Sequence, residues 1–321
     1  MTRLEAIGKS GMTHNDLCDL ARPRISITTP SLNHGRFLRE TIESIAGQSF
    51  RNFEHIVVDG GSTDETLAIL KQYPHIRWIS EKDNIVDAYQ KALSMARGEY
   101  LIQCCVSDGF LDNQWFSRCV DILDRDIGVS LVWGFAQYMS EEGGLQNVSY
   151  QELFSDPPPQ KEEFLALWLA NGFVLPEGNY CVRTEIIRRH FPNQLSEKHF
   201  QIHPHLGFMY QFMEQGYCPY FVPVVANFGR MHQDQRGQRL KEIEWPAAAT
   251  YFRRVKEYRT RLLEGTAIHR FRNGRAEVIQ EIGRGVLWSW RRKIWRHRIL
   301  RSRLLRIDPY TLWLKIKKRF T

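Results

Sequence analysis

A chain of 321 residues with 43% hydrophobic and 25% charged residues can bury a sizeable core, which excludes wholesale disorder. No stretch approaches the roughly 18 to 20 apolar residues that span a bilayer. Glu5, Lys9, Asp16 and Asp19 interrupt the leader where a secretion signal has its apolar core, so the expectation is a protein neither secreted nor transmembrane. The net charge of +8 is local: from Arg284 to Arg319, 13 Lys and Arg face Asp308 alone, so this tail carries +12 and the rest of the chain −4.

After a polar leader over 1–23, Ile25 to Thr29 is a β-rich run ending at Pro30, and Phe37, Leu38, Ile42 and Ile45 then recur at helical spacing. The unit repeats: Phe53 to Val58 with Thr66 to Leu70, Ile76 to Ile79 with Ile85 to Ala96, and Tyr100 to Val106 with Trp115 to Leu123. Val129 to Phe135 adds a strand. Such alternation predicts an α/β class with a mainly parallel sheet flanked by helices, and ligands beyond the carboxyl ends of its strands.

From Met139 an acidic, Gly-containing segment and Pro157-Pro158-Pro159 mark a loop. Phe164 to Ala170, Leu206 to Met213 and Ala247 to Leu263 read as helices, and Tyr217 to Val225 as a strand-like run broken by Pro219 and Pro223. The domain reading is a nucleotide-binding half over 24–138, an acceptor-side half of the same catalytic domain over 139–265, and a basic amphipathic helical tail over 266–321.

The six cysteines, Cys18, Cys104, Cys105, Cys119, Cys181 and Cys218, form no CxxC pair. Cys104-Cys105 falls in an apolar run, so all six are expected to be reduced core thiols, not zinc ligands. The tail interleaves cations with Trp288, Trp290 and Trp295, which suits a helix lying on an anionic membrane surface. Nothing else resembles a nucleic-acid module, so no nucleic-acid partner is expected.

In Val57-Val58-Asp59-Gly60-Gly61-Ser62-Thr63-Asp64 a strand delivers a carboxylate to its end, two glycines permit a tight turn, and Ser62 with Glu65 fits a capping box. Asp59 either meets a base or ribose or merely ties the turn. No GxGxxG follows the first strand, which disfavours a dinucleotide oxidoreductase.

The run Ile27-Thr28-Thr29-Pro30-Ser31-Leu32-Asn33, then Thr41-Ile42-Glu43-Ser44-Ile45 with Gln48, then the Asp59 to Asp64 segment with Thr66, resembles the opening of family 2 glycosyltransferases, which have the GT-A fold. Glu81 to Lys91 followed by Ala96-Arg97-Gly98-Glu99-Tyr100 resembles that family's central segment. The resemblance covers a little over a third of the chain. It implies that Thr29, Pro30, Asn33 and Asp59 hold base and ribose, with Asp83 and Asp87 near the uridine and diphosphate. Asp87 and Lys91 are also spaced for an ordinary ion pair on one helix face, and Asp83 for a cap.

The family neutralises its leaving diphosphate with a divalent cation, Mn²⁺ or Mg²⁺, held by an acidic motif after the fourth strand. The matching Cys105-Val106-Ser107-Asp108-Gly109 keeps Asp108 but has Val106 and Gly109 where acids often stand. Ala226-Asn227-Phe228-Gly229-Arg230-Met231-His232-Gln233 resembles the family's A-x-F-R-x-H loop, which makes His232 a metal candidate and Arg230 a phosphate partner. The family's base carboxylate is missing from His203-Pro204-His205-Leu206-Gly207-Phe208, leaving His203, His205 or Glu177 for that role. The resemblance thus implies an inverting transferase of cell-surface polysaccharide or glycan synthesis. It would move sugar from a nucleotide diphosphate donor, UDP-linked, to a saccharide or lipid-linked acceptor, in the cytoplasm at the inner face of the membrane. The alternative is a catalytically silent GT-A-like binding protein.

Overall fold

The computed structural model describes residues 22–148, 178–196, 204–215, 217–235, 267–272 and 275–281, with 253, 283–285, 288–289 and 292 besides. β1 (Ile25–Ser31) leads into α1 (Gly35–Ala46), β2 (Phe53–Asp59) into α2 (Thr66–Leu70), β3 (Arg77–Ser80) into α3 (Ile85–Met95), and β4 (Tyr100–Gln103) follows. These four strands lie in the order β3-β2-β1-β4, all parallel. Their apolar residues serve both faces, as crossover helices require. In β4, Tyr100 and Ile102 pack with Trp115, Phe116 and Cys119, while Leu101 packs with Tyr89, Leu93 and Phe208. A buried Phe such as Phe208 or Phe221 contributes about 1.5–3 kcal/mol to this core.

Past β4 the pairing changes. β5 (Gly109–Phe110), α4 (Trp115–Arg125), β6 (Val129–Met139), β7 (Leu145–Val148), β8 (Tyr180–Arg183), α5 (Thr184–His190), α6 (Pro204–Glu214) and β9 (Cys218–Arg230) complete the main body. β8 lies antiparallel between β4 and β6, β9 runs parallel to β6, β5 joins the far edge of β9, and β7 folds back on β6. The result is one nine-stranded mixed sheet. The α/β class is as expected, with the parallel arrangement concentrated in the first four strands.

Two prolines expected to break the run after Tyr217 do not interrupt β9. The register against β6 slips near Leu131, where Pro219 pairs, and again between the Trp133–Phe221 and Phe135–Val225 pairs, a gap that takes in Pro223. The far edge of β9 pairs with β5 only at Asn227 and Phe228, so irregularity and open edge together absorb the missing N–H groups.

Other expectations shift. Cys104 and Cys105 follow β4 instead of lying within it, and with Cys119, Cys181 and Cys218 they are free thiols. Where the helical tail was expected to begin, β10 (Ala267–Arg272) and β11 (Arg275–Glu281) pair as an antiparallel hairpin. Cys18, the predicted helix Phe164 to Ala170 and, but for isolated positions, Ala247 to Leu263 and the basic stretch beyond Arg284 lie outside the described residues. Among the described residues no helix is long and apolar enough to cross a membrane.

Candidate functional site

β1 and β2 end side by side, Ser31 in register with Asp59, and the loops beyond them are laced together. Asn33 adopts a left-handed φ of 54°, which asparagine tolerates better than most residues. Its N–H reaches Ser62 Oγ at 2.7 Å, and its side-chain Oδ1 accepts from Thr63 N at 2.8 Å. Gly35 N donates to Asp64 Oδ2 at 2.9 Å. A Cβ on Gly35 would lie 2.7 Å from Glu65 Cγ and 2.9 Å from Thr66 N, so only glycine lets α1 start this close to the β2 loop.

Asp59 is fully buried. Its Oδ2 accepts from Gly61 N, Ser62 N and Ser80 Oγ at 3.1, 2.9 and 2.7 Å, and its Oδ1 from Ser62 Oγ at 2.5 Å. Of its two sequence readings, the structure displays the turn-tying one: the carboxylate builds the wall of the crevice instead of standing open in it. Thr29 is also buried, its Oγ1 2.9 Å from His55 Nε2. Burial, and secondarily His75, push the His55 pKa down to about 3, so this ring is neutral. Pro30 is half-buried and Asn33 exposed.

The acidic helix start differs from the spacing argument. Asn84, not Asp83, caps α3, its Oδ1 accepting from Val86 N and Asp87 N at 3.0 and 3.1 Å. Lys91 does not pair with Asp87. It reaches back beyond the helix start to Asp83 at 2.6 Å and to Glu81, and those two hydrogen bonds hold its pKa above the ordinary value. Two carboxylates there outcompete one on the helix face. Asp87 accepts instead from Asn84 Nδ2 at 2.5 Å and Gln194 Nε2 at 2.7 Å.

After β4 the chain turns through Ser107, whose φ of 87° is unusual for a residue with a side chain. Thr41 of α1 clamps this turn: its Oγ1 accepts from Ser107 N at 3.2 Å and donates to Asp108 O at 2.7 Å. Both missing acids now have a physical reason. Val106 is buried with Phe37, Leu38 and Val57, where a charge would be desolvated. A Cβ on Gly109 would lie 2.6 Å from Ser44 Oγ and 2.7 Å from the Phe228 ring.

The β5–β9 pairing brings Asp108 to the end of β9, where Asp108 Oδ1 accepts from Arg230 N at 3.1 Å. The Arg230 guanidinium is buried and engaged away from any phosphate position: Nη1 donates to Glu141 O at 2.9 Å and Ser140 O at 3.2 Å, Nη2 pairs with Glu40, and Phe37 lies 5.1 Å beneath it. The expected phosphate contact is therefore replaced by a structural lock between β9, α1 and the β6–β7 turn.

His232 stands two residues on, 5% exposed, its ring edge-on to His34 at 5.2 Å and tilted against Phe37 at 4.8 Å. Its Nδ1 is buried without a hydrogen-bond partner. Burial first, then His34 and Arg36, hold its pKa below the ordinary value, which leaves a neutral imidazole with a lone pair at neutral pH. Carboxylate oxygen and neutral imidazole nitrogen suit a divalent cation. Among the described residues no group of three or more His, Cys, Asp or Glu is placed to hold one, so diphosphate oxygens and water would complete the shell.

Of the base candidates, His203 and Glu177 lie outside the described residues. His205, on α6, is half-buried, stacked on Tyr180 at 5.6 Å, its Nδ1 3.2 Å from the Tyr180 hydroxyl. That hydroxyl donates to Gln103 Oε1, the last side chain of β4, at 2.9 Å.

Comparison with known proteins decides the family. The model described as glycosyl transferase family 2 matches residues 26–191, just over half the chain. The chain belongs to glycosyltransferase family 2. Escherichia coli chondroitin synthase is 32% identical over 133 residues, 40% of this chain and 19% of that protein. A PGL/p-HBAD biosynthesis glycosyltransferase of Mycobacterium tuberculosis is 32% identical over 121 residues, 36% of this chain and 47% of that protein. The chain thus spans less than half the length of these relatives. A mannosyltransferase from Pyrobaculum calidifontis, solved with GDP-Man and Mn²⁺, shares the GT-A fold at a TM-score of 0.52 and 15% identity, over 93% of this chain and 80% of that one.

The family 2 match takes in Asp59, Asp108 and Tyr180 but ends before His205 and His232. Sequence reading missed Thr41, His34 and Tyr180. Thr41 had a signal: it is the polar residue on the apolar face of α1, among Phe37, Leu38, Ile42 and Ile45. Tyr180 had none, since a buried tyrosine starting a strand reads as core.

Proposed function

We propose that this family 2 member is an inverting glycosyltransferase that moves a sugar from a nucleotide diphosphate donor, UDP-linked, to a saccharide or lipid-linked acceptor in polysaccharide or glycan synthesis. The observation that carries the reading is the convergence, at the carboxyl edge of the parallel strands, of the laced β1–β2 loops with Asp108 and the unpartnered His232 nitrogen. The names of the relatives and the donor-and-Mn²⁺ complex of the mannosyltransferase agree with it.

In this reading the β1–β2 crevice, shaped by Asn33 and Asp59, receives the nucleoside. Asp108 and His232 hold a divalent cation, which supplies neutralisation of the charge that develops on the departing diphosphate. Asp83 is drawn to Lys91, so its part in diphosphate binding is indirect. His205 accepts the proton of the attacking acceptor hydroxyl. The basic tail, with its tryptophans, places the enzyme against an anionic membrane surface.

The test is sugar release and transfer from a panel of nucleotide sugars with Mn²⁺, in wild type and Asp108→Ala. Turnover confined to wild type is expected. Equal turnover in both removes Asp108 from the mechanism, and donor binding without turnover in wild type favours the silent binding protein. For the tail, liposome flotation should be lost on deleting residues 284–321; unchanged flotation would exclude it as the anchor.

A further inference from the structure

The parallel strand β4 ends in Gln103, whose side chain is buried at 1% exposure between two core clusters. A glutamine in such a place costs free energy unless its amide is used. Its Oε1 accepts the hydroxyl proton of Tyr180, which is itself fully buried and opens the antiparallel strand β8 beside β4. A phenol has one proton to give. With that proton committed to Gln103, the Tyr180 oxygen faces His205 Nδ1, 3.2 Å away, as an acceptor. His205 must then carry its proton on Nδ1, and the lone pair falls on Nε2.

The local backbone is built to keep this arrangement at the strand edge. Gly178 holds a φ of +83°, and a Cβ there would come within 2.8 Å of Asn227 Nδ2 and 3.9 Å of Gln103 O, so the chain enters β8 pressed against both β4 and β9. Asn179 Nδ2 donates to Gly134 O at 2.8 Å and pins the next residue. The Tyr180 ring stacks on both His205 and Phe208, 25° and 23° from parallel, which restrains the imidazole plane as well as its tautomer. Asp108 lies five residues past Gln103 on the same exit from β4.

We propose that Gln103 and Tyr180 are positioning residues that hold His205 in its Nδ1-protonated tautomer, so that Nε2 takes the proton of the acceptor hydroxyl. The inference rests on the transferase reading. As the acceptor O–H bond breaks, its proton passes to Nε2 and its oxygen bonds the anomeric carbon. The bond from that carbon to the diphosphate breaks with its electron pair leaving on the diphosphate. A buried amide and a phenol thus take over the orienting task that a carboxylate performs for histidine bases elsewhere.

The tautomer can be read without turnover, from long-range ¹⁵N–¹H correlations of protein labelled in histidine, with His205 assigned by loss of its signals in His205→Gln. Wild type is expected to show the proton on Nδ1. Tyr180→Phe, which keeps the stacked ring, and Gln103→Met are expected to redistribute it toward Nε2. Both should lower kcat by about tenfold or more while the donor KM moves less than about twofold, and His205→Ala should lower kcat by about a hundredfold. Gln103→Glu, which keeps an acceptor for the Tyr180 hydroxyl, should restore the Nδ1 tautomer and most of the rate. An Nε2-protonated His205 in wild type, or a tautomer indifferent to Tyr180→Phe, overturns the proposal. Absence of transfer from every donor, with the Nδ1 tautomer present and sensitive to Tyr180→Phe, would sink the transferase reading while the relay itself stands.

Discussion

The two ends of the crevice are built on opposite plans. At the β1–β2 end nearly every polar group is committed: Asp59 takes four donors, and Asn33 and Asp64 tie the loops to each other. At the β5–β9 end the backbone is held at an unusual φ at Ser107, and His232 keeps a buried nitrogen without a partner. The first plan suits a rigid wall against which a flat base can rest, since its hydrogen bonds are satisfied before any ligand arrives. The second leaves coordination capacity unspent, which is what a cation and a diphosphate need. Mutations should therefore separate cleanly: stability is lost at the first end and turnover at the second.

The largest separation is expected at Asp108. Asp108→Ala should lower sugar transfer by about 10²-fold or more, the scale of losing charge stabilisation at a leaving group, while its urea midpoint moves little. A comparable loss of stability and activity would merge the two ends. Asp59→Ala should act the other way and destabilise by roughly 3 kcal/mol, because two buried N–H groups and two hydroxyls lose their acceptor. Urea unfolding measures this, and a change under about 1 kcal/mol would mean the turn does not depend on the carboxylate.

Gly109→Ala sharpens the contrast from the packing side. The added Cβ would be 2.6 Å from Ser44 Oγ and 2.7 Å from Phe228, so a loss of about 1–3 kcal/mol is expected by thermal unfolding. A neutral result would show that the Asp108 turn has room for the acid seen in relatives of this motif. The smallest effect is a slope. The folded-state pKa of His55 is about 3 against 6.5 for an unfolded histidine, so unfolding takes up a proton as the pH falls. The stability it protects is complete above about pH 6.5 and declines toward pH 3 by at most about 1.4 kcal/mol per pH unit, a slope that His55→Gln should reduce.

The same division governs what the sequence disclosed. The β1–β2 end was legible because local signals agreed there: an apolar run, a carboxylate at its end, paired glycines and a cap-forming serine specify one turn. Thr66–Leu70 was found to the residue for this reason. The β5–β9 end is made by long-range pairing, Gly109 with Phe228 and Asp108 with Arg230, separated by more than a hundred residues, and no local periodicity announces such contacts. Lys91 shows the same limit on a smaller scale. Helical spacing offered Asp87, whereas the fold of the β3–α3 loop offered two acids at once. Arg230 was legible as a motif residue but not as a lock, since its partners Glu40 and the Ser140 and Glu141 carbonyls come from distant segments.

The most direct test is calorimetric titration of UDP into the full chain, with Mn²⁺ and with chelator, in wild type, Asp108→Ala and His232→Ala. Wild type should bind at least about tenfold more tightly with Mn²⁺, about 1.4 kcal/mol, and both variants should lose that gain while keeping the metal-free affinity. A wild type that binds no nucleoside diphosphate, or a Mn²⁺ gain that survives both substitutions, would contradict the account.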